Sequence, residues 1–131
     1  MTQCSYFKGL YTIKPSPVHD LDSYIAAMKK NLGERGRIKA IYEQMMASKS
    51  RCTERIPRVA ATSLPTLSIF GTNDPDFPAP NGPELEAKWI AEQFGASSKY
   101  EMVEGAGHFP HVERPELCAK HIFAFIESNS L

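Results

Sequence analysis

The chain has 131 residues, of which 42% are hydrophobic, and carries 15 Lys+Arg against 15 Asp+Glu. That length suits one domain of ordinary size, and the apolar content excludes a wholly disordered chain. No apolar run reaches the ~18 residues a membrane span needs, and the opening MTQCSYFKGLYT lacks the charged start and apolar core of a secretory signal.

Residues 1–19 read as irregular, since Pro15, Ser16 and Pro17 interrupt any regular element. Asp20 and Asp22 offer N-cap oxygens to a helix through about Leu32, with Leu21, Tyr24, Ile25 and Met28 as its apolar stripe and Gly33 in the left-handed position beyond it. A second helix is predicted from about Gly36 to Ser48, with Ile38, Ile41, Tyr42, Met45 and Met46 on one side. A short third helix over Arg51–Ile56 has Ser50 as its cap and Pro57 as its end. The first 58 residues therefore read as a helical segment, distinct from residues 59–131.

From Pro65 the pattern changes. Thr66–Phe70 is an apolar run of strand length ending at Gly71, followed by a turn-rich stretch through Pro83. Pro83 suits the first position of a helix, and Glu84–Phe94 is amphipathic through Leu85, Trp89, Ile90 and Phe94, with Gly95 after it. Trp89 is expected to pack against the sheet. Lys99–Val103 reads as a second strand and Gly105–Arg114 as a loop. Pro115 begins a last helix with Leu117, Ile122, Phe123, Phe125 and Ile126 inward. Strand, helix, strand, helix predicts parallel βαβ units and an α/β fold. Two strands make too small a parallel sheet to stand alone, so the sequence reads as part of a larger sheet whose other strands lie outside it, and self-association is expected of the chain by itself.

The neutral total hides a split: residues 1–58 carry eleven Lys/Arg and five Asp/Glu, residues 59–131 four and ten. The basic residues alternate with Met, Ile, Leu and Tyr at helical spacing, as on solvated helix faces, so packing of two oppositely charged halves is preferred to nucleic-acid binding. Cys4, Cys52 and Cys118 are odd in number and have no CxxC spacing, which favours a reducing, cytoplasmic setting over a disulfide scaffold or zinc site. All three read as ordinary small apolar residues. Met28, Met45 and Met46 suit helix packing or the lining of an apolar pocket.

Open α/β sheets place their sites at the carboxyl ends of strands. Two loops lie there: Gly71-Thr72-Asn73-Asp74-Pro75-Asp76-Phe77-Pro78 and Gly105-Ala106-Gly107-His108-Phe109-Pro110-His111. An acid at one strand tip and a histidine at the next can hydrogen-bond, the carboxylate fixing the imidazole tautomer. Spacing alone leaves open a plain Asn-Asp-Pro turn beside a structural histidine. Asp76 competes with Asp74 for the acid position and otherwise caps the turn before Phe77; His111 competes with His108 and otherwise packs beside the loop. A His108–His111 metal pair, with Glu113, has the wrong local structure for a helical zinc motif. Glu113 and Glu116 suit the N-terminus of the last helix, where their charge meets the helix dipole.

The run G-x-x-D-P-x-x-P after a strand, an amphipathic helix, then E-G-A-G-H-F-P-H-x-E-x-P-E resembles the C-terminal part of the α/β-hydrolase superfamily. The resemblance covers about residues 56–131 and implies the seventh and eighth core strands and the final helix, preceded over residues 1–58 by the later part of a helical cap. It implies that Asp74 is the acid and His108 the histidine of a nucleophile–Asp–His triad. A small hydrophobic ester or acyl substrate follows from the same likeness, with no metal or organic cofactor required. The sequence departs from the family in having no G-x-S-x-G elbow and no HGGG-type loop. Ser5, Ser16, Ser23, Ser48, Ser50, Ser63 and Ser68 have no elbow context, and Ser5–Lys8 fits S-x-x-K without its partner motifs. The nucleophile is therefore expected in a missing N-terminal half, as Ser or, as in the superfamily's epoxide hydrolases and dehalogenases, as Asp. The alternative is a truncated, non-catalytic protein that acts through self-association or partner binding.

Overall fold

The computed structural model describes residues 8–12 and 21–130. In chain order, the elements are α1 (Leu21–Leu32), α2 (Arg37–Met46), α3 (Ser50–Thr53), α4 (Ile56–Ala60), β1 (Thr66–Gly71), α5 (Gly82–Phe94), β2 (Ser98–Val103), α6 (Pro110–Glu113) and α7 (Pro115–Ser128). The fold is mixed α/β around a two-stranded parallel sheet. Thr66 stands opposite Ser98, and the register runs unbroken to Gly71 opposite Val103.

Period-two alternation gives the sheet two faces. Along β2, Tyr100 and Met102 share a cavity wall with Leu85 and Lys88 of α5. Lys99, Glu101 and Val103 turn to the opposite side and meet α7. The Lys99 Nζ donates to Ser128 Oγ at 3.3 Å, His121 Nδ1 lies 3.2 Å from a Glu101 oxygen, and Val103 packs with Cys118. Ile69, opposite Glu101 in the register, joins Val103, Ala106 and Cys118 in a small core. Helix α4 packs on α5, and α1 touches α2. Thus α5 and α7 sandwich the sheet while α1 and α2 stand outside it.

Several local expectations are corrected. Asp20 lies outside the described residues, and Asp22 pairs with Lys8 at 2.7 Å inside the first turn instead of capping it. The left-handed glycine after α1 is Gly36 (φ 85°), not Gly33, whose N–H still donates to the Lys29 and Lys30 carbonyls as one more helical turn. Ser50 is the first residue of α3 with Lys49 before it, and Pro57 opens α4 rather than ending α3, because the first turn of a helix needs no N–H there. The stretch after β2 is not wholly loop, since Pro110 starts the single-turn helix α6.

Ile25 is buried as expected, and Ile90, Phe94, Phe125 and Ile126 are half-buried, but other burial expectations fail in one consistent direction. Ile38, Tyr42, Met45 and Met46 of α2 are exposed, as are Leu85 and Trp89 of α5 and Leu117, Ile122 and Phe123 of α7. Met28 is half-buried. The buried apolar residues are Leu10, Ile25, Ala87, Val103, Ala106 and Cys118, the last four on or beside the strands and mostly small. Periodicity marked the apolar faces correctly as faces, but the described residues include nothing broad enough to cover them. The Lys and Arg ion pairs found among the described residues do not join the two oppositely charged halves. Lys8–Asp22, Arg37–Glu34 and Lys39–Glu43 all lie within the basic half.

Candidate functional site

Both strands stop at the same end, and backbone hydrogen bonds tie the loops that follow. Thr72 N–H donates to the Val103 carbonyl at 3.1 Å, Asn73 N–H to that of Ala106 at 2.9 Å, and Gly105 N–H to Thr72 Oγ1 at 2.9 Å. The approach is so close that a Cβ on Gly71 would strike the Gly107 and Ala106 carbonyls. Gly105 turns the second loop at φ 72°, a conformation glycine adopts without a steric penalty.

These ties bring Asp74 and His108 together. Asp74 is 5% exposed, and its Oδ2 and Oδ1 lie 2.9 and 3.1 Å from His108 Nδ1. The same Oδ1 accepts the Asp76 N–H at 3.0 Å, which fixes the carboxylate from behind. An ionised carboxylate only accepts, so the proton of neutral His108 sits on Nδ1 and the Nε2 lone pair is left for another group. The His108 side chain is 34% exposed, so it bridges a buried acid and the surface. Its ring meets Phe109 edge-on at 4.9 Å.

The competing residues fall into place around this pair. Asp76 lies 3.6 Å from His108 Nδ1, farther than Asp74, and is exposed. His111 is exposed on α6, its ring 6.2 Å from that of Phe109. Asp74, Asp76 and His108 each offer a ligand atom within 4.8 Å of the others, whereas the His108–His111–Glu113 set, already disfavoured from sequence, is not brought together in this way among the described residues. Glu113 does not sit as a surface charge at the last helix. It is 5% exposed, and its two oxygens accept backbone N–H groups of Gly107 and Thr12. Charge-assisted bonds of this kind contribute about 1.5–3 kcal/mol each. This carboxylate and the 8–12 segment were missed from sequence, because partners 101 residues apart leave no spacing to read. The remaining expected residue, Glu116, is exposed in the first turn of α7.

Burial also sets the local acid–base character. It pushes the Tyr11 hydroxyl above its ordinary range, with Tyr24 and Glu113 adding to the effect, and it raises the Cys118 thiol. Cys52 is exposed, against expectation, whereas Cys118 behaves as a small core residue; Cys4 lies outside the described residues. Two open cavities of about 650 and 510 Å³ lie along α5 and β2, and neither is lined by Asp74 or His108. Compared with protein-family models, curated proteins and solved structures, the chain matches none.

Proposed function

We propose that this chain supplies the acid–base arm of a hydrolase site of the α/β-hydrolase type. The observation that carries the proposal is the hydrogen bond from His108 Nδ1 to a buried Asp74 carboxylate, at the carboxyl ends of two adjacent parallel strands. An imidazole held this way takes a proton on Nε2 from an attacking nucleophile, and Asp74 stabilises the imidazolium that forms. His108 then returns the proton to the leaving group. The nucleophile comes from a G-x-S-x-G elbow, or its Asp equivalent, on a segment other than this sequence. Exposed apolar side chains on α2 suit the underside of a cap over a small hydrophobic ester or acyl group, and the step requires no metal or organic cofactor.

A second reading, self-association without catalysis, is favoured by one observation. Tyr42, Met45 and Met46 are each more than half exposed on α2, which touches little besides α1, and Phe123 is as exposed on the outer side of α7.

The test is to read the frame upstream of Met1 and express the extended polypeptide. The hydrolase reading expects an in-frame elbow whose nucleophile turns over an activated aryl ester, with kcat falling by about 10⁶ in His108→Ala. The chain as given should show neither burst nor turnover. Robust hydrolysis by this chain alone would place the nucleophile among its own serines, and an extended frame with no elbow would favour self-association.

A further inference from the structure

Glu113 stands five residues past His108, at the end of α6, with its carboxylate turned back under the loop that carries the histidine. Its Oε1 accepts the Gly107 N–H at 2.9 Å, and its Oε2 accepts the Thr12 N–H at 3.0 Å. At the next residue, the His108 N–H donates to the Leu10 carbonyl at 2.9 Å. Leu10 is itself buried, and the Tyr11 ring lies 5.0 Å from that of Phe109. The 8–12 segment is thereby fastened to the histidine loop by the Glu113 carboxylate at Gly107, by the direct backbone bond at His108 and by the ring contact at Phe109. There is no slack in the arrangement. A Cβ on Gly107 would strike the Leu10 carbonyl and come within 3.0 Å of both Glu113 Oε1 and Thr12 N.

A carboxylate removed from water costs free energy unless its lone pairs are filled. Here they are filled by the backbone of the two segments that hold the histidine. We infer that Glu113 is a positioning residue for His108: it locks Gly107 against residues 10–12 and so aims Nδ1 at Asp74 and Nε2 outward. The inference rests on reading His108 as the acid–base residue. It adds a second buried acid, in a role distinct from that of Asp74, and makes residues 8–12 part of the site.

The experiment is ¹⁵N NMR of the histidine rings in the full chain carrying Glu113→Gln, which sets an NH₂ donor against one of the two N–H groups. The expected result is that His108 loses the Nδ1–H form as its single population and gains the Nε2–H form, while His121, beside Glu101, is unmoved. Cys118→Ala truncates the adjacent core and serves as the stability control. A comparable fall in melting temperature without a change at His108 separates positioning from general loosening. Should Glu113→Gln unfold the chain, an α-hydroxy acid at position 12 removes the Thr12 N–H and no side chain, and is read the same way. A His108 spectrum unchanged in these variants overturns the inference. Asp74→Asn reports separately on the reading beneath it. If that variant leaves His108 unmoved the acid–base pair itself is lost, whereas a response to Asp74→Asn but not to Glu113→Gln removes only the role of Glu113.

Discussion

Gly71 ends β1 against the backbone of the neighbouring loop, where a methyl group would meet two carbonyl oxygens that cannot move without opening the site. Gly71→Ala should therefore lower stability by about 1–3 kcal/mol, the usual cost of overpacking. Gly9→Ala, with nothing within 4 Å of the added carbon, should stay within about 0.5 kcal/mol. Urea midpoints decide it, and equal midpoints for the two variants would contradict the close approach of the loops. Thiol chemistry gives a second prediction. Burial raises the Cys118 thiol and shields it, so Ellman's reagent should modify exposed Cys52 well before Cys118. A folded-state pKa above the unfolded one favours the protonated form, so this contribution is complete below the unfolded pKa and is lost as pH rises through the folded one. Cys118→Ala should accordingly weaken the alkaline loss of stability, and an unchanged alkaline limb would contradict the burial. Asp74 and His108 were legible in the sequence because strand ends and glycine-flanked loops mark them. Glu113 was not, since its partners are backbone N–H groups and one of them is distant in sequence.

At the scale of elements, β1, α5, β2 and α7 follow their predicted spans to within two residues at either end, because strand-length apolar runs, prolines at helix starts and Gly95 after α5 are local signals. What covers a helix is not local. The stripe Ile38, Tyr42, Met45 on α2 repeats at helical spacing and reads as a buried face, yet Met45 is 73% exposed. Met45→Glu should then change the unfolding free energy by no more than about 0.5 kcal/mol. A loss of 2 kcal/mol or more, in the range of core substitutions, would mean that this face is covered in solution and would favour self-association.

For the molecule as a whole, a sheet of two parallel strands, with one edge of each unpaired among the described residues, must hold a hydrogen-bonded acid–histidine pair at its tip. Among the described residues the cluster beneath that tip is small, Val103, Ala106 and Cys118 with Ile69 against them, and it is supplemented by backbone ties between the loops and by the Glu113 carboxylate. At that tip the Asp74 carboxylate orients the His108 ring through Nδ1. The most direct measurement is the ring ¹⁵N spectrum of His108 in the unaltered chain at a pH where the ring is neutral. The expected spectrum has a proton on Nδ1 and a bare Nε2. A ring protonated on Nε2, or one exchanging freely between the two forms as exposed His111 should, would contradict it.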